Sequence, residues 1–521
     1  MFDRRVRSAG SLQTDACASE VVVLRRSAAR LTLNTVVHKE IAVSKALAAF
    51  SFGLVLSSAS ALSPARAASD VDADEARFRA LYETLVEIDT TRSNGDCTRA
   101  AEAMRARLLE AGYAPEDARI YAPDDRPRDG ALIARLHGRD PSLKPILLLA
   151  HIDVVEARRE DWGRDPFELI ERDGWFTARG ASDDKAMASV LTDSMIRYKR
   201  EGFAPRRGLK LALTCGEETP DIFNSVEWLL QTNPETLDAA FVLNEGASGE
   251  LDAAGRHIAL QMQAGEKLYQ DFELVATDVG GHSSRPTRAN PIHRLARGLA
   301  RLGDYRFPVS LSPVTRAYFE RQRALAPASE AEFRALLDDA RPAAEREAAV
   351  DRLWAENPGW NSMLRTTCIA TMAQGGHAAN ALPQRASANI NCRILPGVAV
   401  EDVRKALQRA IDDEGIAVNA IGKIPVAAPM PTIDARMLGP VRDVAESLWP
   451  GVAVVPTLAT GATDGRFLNA AGIPTYGLSG LFHDAEGPRS HGLNERVRVR
   501  SLLDSRRFLY EVIRRYADAK E

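Results

Sequence analysis

Three apolar runs, each ending in a polar motif, constrain the fold of this chain more than any other feature. ILLLA runs into His151-Ile152-Asp153, LALTC into Gly216-Glu217-Glu218, and AFVL into Asn244-Glu245. Runs this apolar read as strands buried on both faces, which is the pattern of a parallel sheet in an α/β protein. The polar groups then emerge together at strand C-terminal ends, the edge at which open α/β sheets bind ligands. Asp183, in Gly180-Ala-Ser-Asp-Asp-Lys185, and the distant His491-Gly-Leu-Asn-Glu495 extend the set to two histidines and several carboxylates. Imidazole and carboxylate donors gathered from far-apart segments are the ligand chemistry of a hydrolytic metal centre.

At 521 residues the chain exceeds one typical domain and can fill two cores. Its formal net charge of -4 gives no electrostatic basis for binding nucleic acid. Residues 1–67 read as a leader. Lys45 precedes an apolar stretch, Ala46 to Leu62, that ends at Ser63-Pro-Ala-Arg-Ala-Ala68, an A-x-A-like cleavage pattern. A membrane anchor is the alternative, but the run is short and broken by Ser and Gly. The expectation is a signal peptide over about 43–67, a mature chain from near Ala68, a periplasmic or secreted destination, and no stable membrane association after cleavage. In that oxidising setting Cys97, Cys215, Cys368 and Cys392 can pair. Folding the chain back at Asn380 sets Cys368 and Cys392 opposite each other on two expected strands, as a cross-strand disulfide or as buried thiols.

From Asp70 onward helices and strands alternate. A helix is predicted from Thr98 to Ala111 with Asp96 at its start, strands near Leu132, Ile146, Leu211 and Phe241, and a helix from Ala186 to Tyr198. This is a layered α/β domain, assigned to 68–265. The texture changes near Gly265. QDFELVATDV alternates like a strand with one exposed face and leads into Gly280-Gly-His282-Ser-Ser, then a helix over Pro291 to Leu302. Strands at 366–373 and 385–395, a helix at 401–413 and a strand at 416–424 complete a small α+β unit inserted at 266–424. The Ala-rich, charged stretch 315–356 reads as extra helices inside that insertion. The α/β texture then resumes over 425–521, with VAVVP as a strand.

The motifs HIDVV, GASDDKA, GEE, NEG, GGHSS, NALP followed by INCRILPG, GATDGRF and HGLNE occur in the order found in the M20 metallopeptidases, and the chain resembles that family over nearly all of its mature length. The resemblance implies a zinc-exopeptidase-like catalytic domain with an inserted α+β, ferredoxin-like lid and dimerisation domain. It implies two Zn2+ per subunit, with Co2+ or Mn2+ also admitted by such ligands. His151, Asp183 and Glu245 would hold one ion, and Asp183, Glu218 and His491 the other, with Asp183 as the bridge. Asp153 would orient the His151 ring, Glu217 would act as general base, and the peptide between Asp183 and Asp184 would be cis. His282 would stabilise the oxyanion, commonly from the partner subunit of a homodimer. Arg393 and Asn380 would bind substrate, and Gly461 and Thr463 would line its pocket.

The activity so implied is exported hydrolysis of a peptide or N-acyl amide bond beside a residue with a free carboxylate, as in an M20 carboxypeptidase. An N-acyl-amino-acid amidohydrolase (aminoacylase) is the alternative, and a catalytically idle peptide-binding homologue is the reading from another class. Three positions depart from the family pattern: Ala186 where Gly is usual, Gly216 where Asp often precedes the Glu pair, and Glu156 where Pro is frequent. Taken alone, His151 could be a hydrogen-bonded core histidine and the Asp183-Asp184 pair a helix cap.

Overall fold

The apolar runs form the centre of a ten-stranded mixed sheet. In the computed structural model, which describes residues 64–219 and 222–520, strand Ile146–His151 lies between Leu209–Thr214 and Phe241–Asn244 and is parallel to both. Ile146, Leu148 and Ala150 enter one hydrophobic cluster, while Leu147 and Leu149 enter another on the opposite face. Both faces are covered, so no polar residue can interrupt the run. Helices Cys97–Glu110, Lys185–Arg200, Ala435–Leu448 and Val499–Asp518 contribute to the first cluster, and Ser225–Thr232 and Gly465–Ala470 to the second. Asp96 caps the first of these helices by accepting from the Arg99 amide at 2.9 Å. The expected leader lies outside the described residues up to residue 63, and the residues around its expected cleavage point open a helix, Pro64–Val86. Among the described residues no helix is long and apolar enough to cross a membrane.

The sheet is completed by late parts of the chain. Thr475–Gly477 fits between Phe241–Asn244 and His257–Glu266, and Ala453–Ala459 runs parallel to His257–Glu266. A separate antiparallel sheet has the order Thr367–Gly375, Arg385–Ile394, Leu268–Thr277, Ile416–Ile421. Helices Pro291–Asp304 and Val400–Ile411 cover one of its faces, packing Leu295, Leu302, Val403 and Leu407 against Phe272, Leu274, Ala388 and Ile390. Its edge strand Thr367–Gly375 is mostly exposed, with Ile369 and Met372 at 67% and 62%.

The helices expected inside the insertion are present as Pro313–Leu325, Glu330–Leu337 and Ala343–Glu356, followed by Pro358–Leu364. These helices pack on the large sheet. Phe319, Phe333, Val350, Leu353 and Leu364 pack with Ala259, Val455 and Leu458 of the large sheet, and not on the four-stranded one.

Lys267 marks the crossing from one sheet to the other, between strands His257–Glu266 and Leu268–Thr277. Its fully buried ammonium donates to the carbonyls of Ser362 and Arg365 and the hydroxyls of Ser362 and Thr367, at 2.9 to 3.2 Å. Two chain crossings are thereby tied at one point. Burial brings the lysine pKa down to about 7.

Cys368 and Cys392 are paired in register and joined by a disulfide. A second disulfide joins Cys97 and Cys215. It fastens the start of helix Cys97–Glu110 to the residue just ahead of Gly216-Glu217-Glu218.

Candidate metal centre

Asp183 stands between two histidines. His151 Nε2 lies 3.1 Å from its Oδ1, and His491 Nε2 lies 3.3 Å from its Oδ2. Glu245 is 3.7 Å from His151, and Glu218 is 3.1 Å from His491. One carboxylate shared between an imidazole–Glu245 pair and an imidazole–Glu218 pair is the arrangement that bridges two cations. Donor atoms of His151, Asp183 and Glu218 lie within 4.8 Å of one another, as do those of His151, Glu217 and Glu245. All five expected ligands, and Glu217, are therefore brought together from strand ends, a helix start and a C-terminal loop. The peptide between Asp183 and Asp184 is cis.

Asp153 meets the His151 ring mainly through its backbone. The His151 Nδ1 atom meets the backbone carbonyl of Asp153 at 3.0 Å, while the Asp153 carboxylate is 3.7 Å away. That carboxylate instead accepts from the amides of Glu217 and Glu218 at 3.3 and 3.1 Å. The ring is oriented by main chain, and the side chain holds the Glu pair. Burial pushes the Asp153 pKa up to about 6, with His151 opposing the rise. The departure at Gly216 has a geometric cause. Its φ is +93°, and a Cβ there would sit 2.2 Å from the Phe223 carbonyl. Glu156 replaces the frequent Pro with a carboxylate that accepts from the Ser93 amide and hydroxyl at 2.9 and 2.7 Å.

The electrostatics suit a cation. Burial, then Glu245, raises Glu217 well above the usual carboxylate range, and burial also raises Glu245. Hydrogen bonds to Asp183 and Glu218 raise His491 to about 10. Burial alone would depress His151, but Glu245 and Asp183 outweigh it and hold its pKa well above normal. Four carboxylates packed on two imidazoles are either protonated or neutralised by bound positive charge, and the hard oxygen and borderline nitrogen donors suit divalent ions.

Asp183, Glu217, Glu218, Glu245 and His491 form one wall of a cavity of about 400 Å3, whose other residues are Tyr269, Arg393, Ala462, Thr463 and Arg466. Arg393 and Thr463 are thus placed at the site as expected. Arg393 lies over the Tyr269 ring at 4.7 Å. Thr463 receives the Asn244 side-chain amide at 3.0 Å and donates its own backbone N–H to Glu266 at 2.8 Å. Gly461 belongs to the same turn, just ahead of the two residues that face the cavity. Arg466 is a second guanidinium on this wall that the sequence reading passed over, although it lies in the GATDGRF motif. Behind the turn, buried Asp464 accepts from Thr214 and Asn224 at 2.9 and 2.5 Å, and burial pushes Glu266 up to about 8.

His282 and Asn380 are brought to each other but not to this cavity. Gly281–His282 pairs with Ala381–Leu382, the Ser283 amide donates to the Asn380 carbonyl at 3.1 Å, and both residues are exposed. His282 Nδ1 accepts from the Ser284 amide at 3.1 Å.

Imidazole and carboxylate donors that converge in this way define the class of the metal-dependent peptidases and amidohydrolases. Residues 147–515 match the model described as Peptidase family M20/M25/M40, and the chain belongs to that family. Human N-fatty-acyl-amino acid synthase/hydrolase PM20D1 is 29% identical over 386 residues, covering 73% of this chain and 75% of that protein. The probable carboxypeptidase S-like 2 of Dictyostelium discoideum is 28% identical over 395 residues, 74% of each chain. In fold, the chain is similar to the M20 metallo-carboxypeptidase Sso-CP2 from Sulfolobus solfataricus. The TM-score is 0.60 at 18% identity, with 84% of this chain and 98% of that chain covered. The protein is a hydrolase of this family.

Proposed function

We propose that the protein is an exported dinuclear hydrolase that cleaves a peptide or N-acyl amide bond next to a residue with a free carboxylate. The observation that carries this reading is a single cavity lined both by the shared metal donors and by two guanidiniums, Arg393 and Arg466. His151, Asp183 and Glu245 would hold one cation, and Asp183, Glu218 and His491 the other. Two divalent ions, zinc first and cobalt or manganese compatible, would supply Lewis acidity to the scissile carbonyl and acidify water. Glu217 takes a proton from the attacking water and delivers it to the departing amine nitrogen as the C–N bond breaks. Arg393 and Arg466 fix the free carboxylate of the substrate by forked contacts, which sets the distance from that carboxylate to the bond that is cut.

A carboxypeptidase and an amino-acid deacylase share all of these steps and differ on the acyl side. The likeness to a protein named as an N-fatty-acyl-amino acid synthase/hydrolase favours an N-acyl amino acid, and the likeness to a probable carboxypeptidase favours a peptide. A homodimer in which His282 serves the partner's cavity belongs to the same proposal. It is supported by the exposure of His282 outside its own cavity wall and by the exposed edge strand Thr367–Gly375. Two disulfides support an oxidising destination. The units 68–265, 266–424 and 425–521 remain the proposed division into catalytic and lid segments.

The test is a panel of dipeptides and N-acyl amino acids, each with its C-terminally amidated counterpart, assayed alongside metal analysis. Free acids should turn over with two cations bound per chain, and amidated counterparts should be at least about tenfold poorer, the effect of losing one charge-assisted contact. Equal rates on acids and amides would sink the carboxylate reading.

A further inference from the structure

The loop that presents Asp183 and the loop that presents His491 are joined by one buried ion pair. Arg179 and Glu495 have side chains only 3% and 1% exposed, with Nη1 and Oε2 2.6 Å apart. Both carboxylate oxygens of Glu495 are engaged. Oε2 also accepts from the Gly180 amide at 3.1 Å, and Oε1 accepts from the amides of Ser182 and Asp183, each at 2.9 Å. The second guanidinium nitrogen, Nη2, donates to the carbonyls of His491 and Gly492 at 3.3 and 3.2 Å. Each half of the pair therefore holds the backbone of one ligand-bearing loop.

The second loop needs holding. Arg489, His491 and Asn494 have φ of +59°, +63° and +55°, the left-handed region that side chains other than glycine avoid unless their surroundings impose it. His491 is a donor in such a conformation, in a residue more than half exposed on its side chain. The other site is differently built. His151 and Glu245 sit at or just beyond the ends of buried strands, which fix them without help from this pair.

We propose that Arg179 and Glu495 are positioning residues that couple the two loops, so that Asp183 and His491 are presented together to the second cation. The proposal rests on the dinuclear reading above. Neutral glutamine at 495 would be isosteric, yet its NH2 would have to face N–H donors on one side or the other, so half of the contacts would be lost without a cavity being made. Lysine at 179 has no fork with which to reach both Glu495 and the two carbonyls.

The experiment titrates Co2+ into the chelator-stripped full-length protein, as wild type, Glu495→Gln and Arg179→Lys. It follows stepwise affinity by calorimetry, the visible spectrum of each added equivalent, and the melting temperature of the stripped protein. Expected is a second affinity weakened roughly 10- to 100-fold, the usual effect of removing a partner that orients a ligand, and a clearly smaller loss at the first, because Asp183 is shared by both cations while His491 serves only the second. The spectrum of the second equivalent should change in both variants. Equal loss at both steps, in parallel with a fall in melting temperature, would make the pair merely structural and overturn the proposal, as would two unchanged affinities. Wild type that takes up only one cation would instead refute the dinuclear reading, and the proposal with it. Should Glu495→Gln fail to fold, Arg179→Lys decides by the same selectivity.

Discussion

Replacing Cys97 and Cys215 together by alanine should destabilise the protein more than any other conservative pair of changes outside the cavity. The bridge closes a loop of 118 residues, against 24 for Cys368–Cys392. The chain-entropy relation gives about 4.9 kcal/mol for the longer loop and about 3.4 kcal/mol for the shorter at 25 °C. At about 2.1 cal/mol/K per residue, a unit spanning Pro64–Glu521 has an unfolding entropy of roughly 0.95 kcal/mol/K. The longer bridge then corresponds to a melting shift of about 5 °C and the shorter to about 3.5 °C. Position adds a second effect, since Cys215 directly precedes the turn that carries Glu217 and Glu218. Scanning calorimetry of the two double-alanine proteins, with metal content and turnover measured on each, checks both. The Cys97→Ala/Cys215→Ala protein should melt lower and lose turnover, and the Cys368→Ala/Cys392→Ala protein should keep its turnover. If the first variant melts no lower than the second, loop entropy is not what this bridge contributes.

Glu217→Gln should retain both cations and lose about 10²- to 10⁴-fold in turnover, whereas Asp183→Ala should lose metal; near-normal turnover of Glu217→Gln removes it as the base. His282→Ala should lower turnover about 10²- to 10³-fold with metal unchanged. Mixing it with Glu217→Gln subunits should restore part of the activity, and a verified mixed dimer without activity excludes donation across subunits. Metal uptake should release protons at neutral pH. His491 is raised to about 10 by Asp183 and Glu218, so its imidazole is protonated at pH 7 in stripped protein and must be deprotonated to bind. Affinity should therefore weaken as pH falls, and calorimetry in buffers of different ionisation enthalpy should show the release; a buffer-independent enthalpy contradicts it.

Three of the donors were legible in the sequence because each follows a run whose hydrophobicity fixes its place at a strand end, while Asp183, His491 and the division of donors between two cations came from the resemblance to the M20 family. His151, Glu218 and Glu245 are of this kind, and the expected register set Cys368 opposite Cys392 without deciding between a disulfide and two thiols. Other features depend on contacts that no local pattern encodes. Periodicity shows that helix Pro313–Leu325 has an apolar face, but not that this face packs with Ala259, Val455 and Leu458 of the large sheet. The Cys97–Cys215 bridge joins segments with no diagnostic spacing. Arg466 stands in a recognised motif, yet whether a guanidinium there meets solvent or the cavity depends on the turn around buried Asp464. That Asp153 meets the His151 ring was legible, but not that its carbonyl stands nearer than its carboxylate, at 3.0 against 3.7 Å.

Strand Thr475–Gly477, set between Phe241–Asn244 and His257–Glu266, has a consequence for the timing of folding. A chain emerging from its N-terminus holds most of its large sheet and still has a gap at the middle, flanked by strands whose backbone groups have no partner. Pairings between such distant segments form slowly, so the two flanking edges wait for residues 475–477 to be made before they can close. A product that stops short of Gly477 would keep two interior edges open. It would meet other chains as a template for strand addition and would not persist as a smaller folded protein.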